Sequence, residues 1–315
     1  MNKRQRELSR LTLKREKQII ADLKKTYQTA LQDITAKIAE LTARTDVQNL
    51  QSIIYQIEYQ KALKDQISAF LDVLHQGNFD TISKYLAECY ELGWVGTLYD
   101  LQGQGVPLLF RIDQAQVIKA VETNSKLSKN LYESLGIDIK ALKQTVREEL
   151  SRGISQSLSY RDIARNLKNA ANISFNNAVR IARTEGHRIS QEATFNCQME
   201  AKKRGCEIVK RWDSTLDGRT RRTHQELDGQ TVDVEAPYIL RKGGREYKAM
   251  HPSAFGVASE DINCRCASLQ IAKWMLDDEE FTKYDGEERE LRHFENIDDY
   301  NKFKAEFWKW EGDNK

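Results

Sequence analysis

Proline is scarce in this chain of 315 residues: there are three, and none precedes Pro107. Proline breaks helices because it lacks an N–H and its ring clashes with the preceding turn. Over the first hundred residues, then, almost nothing obliges a helix to stop. Long apolar runs are missing as well. No stretch approaches the roughly 20 residues that a spanning helix needs, so no membrane partner is expected. The polar N-terminus has no signal-peptide apolar core, which points to synthesis in the cytosol. Cysteine is sparse and odd in number, five at irregular spacing, which argues against a disulfide framework. Nor is there an excess of one charge: 49 Lys and Arg against 47 Asp and Glu leave +2. No global field therefore demands nucleic acid as a partner.

The charge is uneven locally. Lys3, Arg4, Arg6, Arg10, Lys14, Arg15 and Lys17 face only Glu7 and Glu16 in the first turns. An acidic run extends from Asp277 to Glu290. Such runs read either as solvated surface or, for the basic one, as an arm that contacts DNA without sequence preference.

Helical periodicity dominates the first two thirds. Leu23, Tyr27, Leu31, Ile34, Ile38 and Leu41 recur at steps of three and four, the mark of an amphipathic helix. A second stripe runs through Leu50, Ile53, Ile57, Ile67, Leu71 and Leu74, with Thr45 to Gln48 between the two as a capping box. Two long helices forming an antiparallel hairpin are expected over 1–76. Gly77-Asn78 reads as a break, Gly103 to Pro107 as a loop, and Asp113 and Ser159 to Asp162 as helix starts. A helical scaffold thus fills 77–172. A long helix is expected from about Ser174 to Lys203, on which Ile181, Glu185 and Ile189 share one line. A carboxylate among apolar neighbours calls for a partner, and Arg219, Arg221 and Arg222 follow.

After Gly205 the period changes. Glu207 to Trp212 alternates like a strand, Leu227 to Val234 is an Asp-Gly turn feeding another, and Cys266 to Ile271 reads as a third. The expected fold is mainly α with a small α+β C-terminal domain, a few-stranded sheet packed on a long helix over 173–273. An acidic, aromatic tail, 274–315, ends in Phe303 to Trp310 and reads as a docking helix.

The chemistry-bearing residues cluster in that small domain. Cys264 and Cys266, two apart, place both thiols on one side of a strand. They could share a zinc with His224 and either His251 or Cys206; equally, they are buried structural cysteines. A metal-dependent nuclease would use His224 as base with Asp213 or Asp217, yet Asp217-Gly-Arg219-Thr220 also reads as a hydrogen-bonded turn. Transfer of ADP-ribose would need an Arg, a Ser-Thr-Ser strand and a Glu-x-Glu loop, and that set is absent.

In order along the chain stand Arg183-Thr-Glu185, Trp212, Asp217-Gly-Arg219-Thr220, His224, Leu227-Asp-Gly229, His251-Pro252 and Asn263-Cys-Arg-Cys266. This ordered set resembles the MuF-type minor head, or head morphogenesis, proteins of tailed bacteriophages, over roughly Gly153 to Ile271. Many relatives carry two cysteines after Asp-x-Arg-Thr; here Arg221 stands at the first position and His224 at the second. A guanidinium cannot ligate a cation, so the resemblance implies a partial zinc site, or the same fold held by pairs such as Arg219 or Arg221 with Glu185. It further implies a non-enzymatic virion protein in the head interior near the portal vertex, assembled in the host cytoplasm. The implied partners are the portal protein, scaffolding or major capsid protein, and packaged DNA. The implied tasks are procapsid assembly, DNA packaging or DNA delivery.

Overall fold

Alanine, leucine, lysine and glutamine fill the first hundred residues, and with no proline among them the chain forms two very long helices. The computed structural model describes residues 1–42, 53–106, 120, 131–155, 160–215, 217–276, 281–285 and 290–294. Helix α1 spans Lys3–Thr42 and α2 spans Ile53–Gly103. Helix α3 covers Leu131–Ser155 and α4 covers Tyr160–Lys203. Then come β1 (Ile208–Asp213), α5 (Arg222–Leu227), β2 (Thr231–Asp233), β3 (Tyr238–Lys242) and β4 (Arg245–Ala249). They are followed by α6 (Ala258–Asp261), β5 (Ala267–Ala272), a 3-10 turn (Lys273–Met275), β6 (Phe281–Asp285) and β7 (Glu290–Phe294). The expectations at Thr45 to Gln48, Asp113 and Phe303 to Trp310 lie outside the described residues.

Two compact units emerge. One comprises Arg15–Tyr85 and Ser128–Arg183. It is helical, and the apolar stripes seen in the sequence supply its core: Leu23, Tyr27, Ile34, Ile67, Leu71 and Leu74 are buried, with Leu135, Ile139, Leu142, Val146 and Leu167 from α3 and α4. The expected break at Gly77-Asn78 does not occur, and α2 runs straight through. Asn78 is fully buried and donates Nδ2 to the Tyr27 hydroxyl at 3.1 Å. That hydroxyl also pairs with Ser174 Oγ at 2.9 Å. Gly77 serves packing, since a Cβ there would meet Thr26 Cγ2 at 3.3 Å. Close helix contact outweighs the modest helix-propensity cost of a glycine.

The other unit comprises Met1–Lys14, Leu86–Leu127 and Thr184–Lys315. Its helical part is drawn together by Gly93, Gly96 and Gly103 of α2: Cβ atoms built there would strike Ser190 O at 2.3 Å, Leu8 Cδ2 at 2.8 Å and Arg4 Cδ at 2.6 Å. Asp100 is fully buried and accepts from the amides of Asn2 (2.6 Å), Gln5 (2.9 Å), Gln104 (3.0 Å) and Gln270. Burial raises its pKa, and the four donors oppose the rise. The start of α1 is thereby fixed onto α2 and β5.

The sheet is β2-β1-β5, antiparallel, with β1 at its centre. Six pairs join β1 to β5, from Ile208 opposite Ala272 to Asp213 opposite Ala267. The alternation in β1 suggests one wet face, but the first five residues of the strand are all buried. Lys210 is covered: its ammonium lies 4.8 Å from the Phe195 ring and 5.1 Å from that of Tyr238, and donates to Met250 O at 2.7 Å. Burial pulls its pKa down to about 8, against the pull of Asp233. The hairpin β3–β4 turns at Gly243-Gly244, whose φ of 56° and 74° is left-handed. Two-residue hairpin turns of this kind demand residues without a Cβ.

Gly93→Ala is expected to cost about 1–3 kcal/mol by overpacking against backbone. Gly136→Ala on α3, whose Cβ would meet only the His75 ring at 3.7 Å, is expected to be neutral or to stabilise by about 0.5–1 kcal/mol. Urea unfolding of the two variants checks the contrast.

Candidate functional site

The β1–β5 register sets the site. Asp213 opposite Ala267 brings the residues just past β1 against those just before β5. Ser214 Oγ accordingly lies 3.4 Å from Cys266 Sγ and donates to His224 O at 2.7 Å, fixing α5. Trp212, fully buried, donates Nε1 to the same hydroxyl at 3.0 Å. Its ring meets those of His224 and Tyr238 edge-on at 5.6 and 5.1 Å. Around it Leu227, Leu240, Ala249, Phe255, Cys264 and Cys266 complete one apolar cluster.

Into this cluster His224 turns Nδ1, which stands 3.2 Å from Cys266 Sγ and 3.8 Å from Cys264 Sγ. The three ligand atoms all lie within 4.8 Å of one another and all three residues are buried. Among the described residues this is the one group of at least three His, Cys, Asp or Glu side chains placed to share a metal ion. The opposite nitrogen, Nε2, faces Glu260 Oε2 at 3.3 Å without a well-directed hydrogen bond. Glu260 is itself bonded by Lys242 Nζ (2.6 Å) and Thr223 Oγ1 (2.6 Å). Burial would raise its pKa, but these donors outweigh it and hold the carboxyl low. The two thiols are opposed: hydrogen bonding from Cys266 holds Cys264 well down, while burial drives Cys266 up. His187 of α4 also lowers Cys264.

Asp217 heads the turn expected from Asp-Gly-Arg-Thr. Its Oδ1 accepts from Arg219 N at 3.1 Å and from Thr220 Oγ1 at 3.2 Å. Its cation, however, is Arg265, which forks onto both oxygens at 2.6 Å. Burial would raise the Asp217 pKa, but the guanidinium prevails and holds it low. Asn263 adopts a left-handed φ of 55° and donates its N–H to Thr184 Oγ1 at 3.3 Å. Asparagine tolerates that conformation better than most residues. Asp261 accepts the N–H groups of Phe255 (3.1 Å), Gly256 (2.7 Å) and Val257 (3.2 Å), shaping the loop that carries the cysteines.

Several expectations need correction. Glu185 pairs with Arg188 of its own helix at 2.8 Å, not with Arg219 or Arg221; an i, i+3 partner is within reach whatever the tertiary fold. Arg219 is exposed. Arg221 donates to the carbonyls of Glu260 (3.2 Å) and Ile262. Arg221 thus ties down the loop that leads to the cysteines. Arg183 pairs with Glu16 at 2.6 Å in the helical unit. Cys206 packs in a separate cluster with Leu101, Ile208 and Ala272, and His251 stacks 5.9 Å from Phe195, so neither joins the His224 group. Neither Asp213 nor Asp217 joins it either. The cysteines lie in the extended lead-in to β5, not within the strand. Of the basic residues at the start, Lys3, Arg10, Lys14 and Lys17 are exposed. Arg4 stacks 4.3 Å over Tyr99 and bonds its carbonyl, and Arg6 donates to Met1 O at 3.0 Å. Sequence reasoning missed Glu260 and His187, which no motif spacing singles out, and the pairing of Arg265, inside the Asn-Cys-Arg-Cys motif, with Asp217. It also missed the hairpin that its Gly-Gly turn announced.

Residues 144–269 match the family described as Phage Mu protein F like protein. Over those residues the chain carries a Mu F-like domain. It is 32% identical over 305 residues to the NAD(+)–arginine ADP-ribosyltransferase EFV of Enterococcus faecalis, covering 95% of this chain and 60% of that protein. The chain thus spans well under two thirds of that relative's length. It is also 24% identical over 258 residues to a minor head protein of Bacillus phage SPP1, covering 79% of this chain and 80% of that protein. No solved structure matches the chain significantly.

Two predictions follow from the geometry. Arg265→Met, which strips both bonds from the buried Asp217, is expected to cost about 1–3 kcal/mol. The exposed Arg219→Ala is expected to stay within about 0.5 kcal/mol. Thermal denaturation compares them. His251 is buried, donates Nδ1 to Pro252 O at 2.9 Å and lies near Arg188, Lys210 and His187. Burial, aided by the charges of Arg188 and Lys210, lowers its pKa from 6.5 to about 4. The folded chain keeps it neutral while the unfolded chain takes up a proton below pH 6.5. Its contribution is therefore full above that pH and is lost progressively toward pH 4, up to about 3 kcal/mol. His251→Gln should flatten the wild-type fall in stability across that window in urea titrations at stepped pH.

Proposed function

We propose that this chain is a minor capsid protein of a tailed phage, acting in head morphogenesis. The observation that carries the reading is the alignment with a minor head protein over 80% of that protein's length, on top of the Mu F-like match. In the finer form of the proposal it binds the portal vertex inside the head and assists procapsid assembly, DNA packaging or delivery. It has no catalytic task. The burial of His224, Cys264 and Cys266 supports this, since a catalytic base or nucleophile must reach its substrate. Asp217 is likewise committed to Arg265, and neither it nor Asp213 joins the His224 group as the nuclease reading needs. The exposed Lys3, Arg10, Lys14 and Lys17 suit weak phosphate contact that salt would screen.

A second reading comes from the relative named as an arginine ADP-ribosyltransferase. The two relatives cover 95% and 79% of this chain, so most of its residues align with both. About 40% of the transferase has no counterpart here, and the sequence lacks the Ser-Thr-Ser strand that such transfer needs. The reading favoured is that the shared part is the head-protein module, and the transferase activity belongs to the rest of that relative.

Both halves are testable. Co-expressed with the portal protein of the same phage, the full chain is expected to co-purify with it, and failure to do so removes the portal assignment. Incubated with NAD+ and an arginine-containing acceptor, or with DNA and Mg²⁺, the purified chain is expected to release no nicotinamide and cut no DNA. Turnover abolished by His224→Ala would instead make it an enzyme.

A further inference from the structure

His224 presents one nitrogen to two sulfurs at once. A hydrogen bond from or to Nδ1 would satisfy a single thiol, yet Nδ1 lies 3.2 Å from Cys266 Sγ and 3.8 Å from Cys264 Sγ. Tetrahedral zinc bonded to nitrogen at about 2.0 Å and sulfur at about 2.3 Å sets its ligand atoms about 3.3–3.8 Å apart. The spacing found is that of a half-built tetrahedron. Behind the imidazole, Glu260 Oε2 stands 3.3 Å from Nε2. This matches the carboxylate–histidine–metal arrangement, in which the outer carboxylate fixes the tautomer and orients the ring. Lys242 and Thr223 hold Glu260 in turn.

A three-residue group needs a fourth donor to close a structural site. Arg221, three residues before His224, is a guanidinium bonded to two carbonyls and cannot supply it. The helix α4 offers a replacement. His187 lies one turn beyond Thr184, whose hydroxyl accepts the N–H of Asn263, the neighbour of Cys264. The His187 ring interacts with the Cys264 thiol, and its Nε2 is buried with no hydrogen-bond partner. It stands outside the 4.8 Å cluster of the other three ligand atoms, so the metal would have to draw it inward.

We propose that His187, His224, Cys264 and Cys266 bind one structural zinc ion, with Glu260 as the residue that positions His224. Charge favours it. Two thiolates neutralise Zn²⁺, both imidazoles are neutral, and the neighbouring Asp217–Arg265 and Glu260–Lys242 pairs are already balanced. The buried cluster therefore carries no net charge, which a low-dielectric site requires. The ion joins α4, α5 and the approach to β5. This inference stands whether or not the chain acts in a phage head.

Purified full-length chain, prepared without chelators, is expected to hold one zinc by plasma mass spectrometry and to lose thermal stability when the ion is stripped. Cobalt(II) added to the stripped protein is expected to give the visible bands of a tetrahedral thiolate site. His187→Ala should weaken zinc binding about tenfold or more and alter those bands, and Glu260→Gln should weaken it about 10–100-fold with the bands retained. Cys206→Ser, outside the cluster, should change neither. Because Cys264→Ser could simply misfold, the stripped wild-type protein carries the decisive measurement. Substoichiometric zinc with no tetrahedral cobalt spectrum overturns the site. Unchanged affinity and spectrum in His187→Ala overturns its fourth ligand.

Discussion

The register of β1 against β5 is the constraint on which the rest of the Mu F-like domain depends. Pairing Asp213 with Ala267 puts Ser214 beside Cys266, and from that hydroxyl the positions of Trp212 and α5 follow. A slip of one residue would turn every side chain of the strand to the opposite face. Trp212 would leave the apolar cluster it centres. The register is guarded from both ends: Gln191 Oε1 of α4 accepts the Ser268 N–H at 2.9 Å, and Gln104 Oε1 accepts that of Ala272 at 2.8 Å.

Around this ladder the chain uses its many cations as mechanical ties. Arg265 forks onto Asp217, Arg221 holds the carbonyls on either side of Asp261, and Arg188 bridges Glu185 and Glu192 at 2.8 Å each. A planar guanidinium with five donors suits such multiple contacts. Lys210 is the exception, an ammonium held between aromatic rings and one carbonyl. These groups lie in the very segments whose Asp, Arg, His and Cys content resembles an active site. Their bonds are satisfied internally, and the arrangement is one of rigidity.

The Mu F-like match also reframes the two named relatives. Strands β1 and β2, the start of β5 and the lead-in helix α4 fall within 144–269, the segment that matches the family. The transferase relative extends well beyond what this chain covers, and the head-protein relative does not. Sequence similarity of a shared domain is weak warrant for a shared activity, because function resides in sites carried on folds.

Much was legible in the residues alone. The spacing of Leu23, Tyr27 and Ile34 and of Ile67, Leu71 and Leu74 specified two long helices, because the 3.6-residue period leaves little choice of which face is buried. The change of period after Gly205, the Asp-Gly turn and the Cys-x-Cys segment located the small sheet. The ordered motif from Arg183 to Cys266 indicated the family. What the sequence could not determine was which charge meets which. Asp217 was as compatible with Arg219 as with Arg265, and Glu185 with Arg221 as with Arg188. Ion pairs form between whatever groups the fold brings within a few ångströms, and linear spacing carries that information only inside a helix. The same holds for Gly77-Asn78, a break by propensity but a packing point against Thr26 and Tyr27. It holds too for His187 and Glu260, distant in sequence from the cysteines yet set around them. Local pattern determined the elements; the tertiary structure alone decided their partners, because long-range contacts leave no period in the chain.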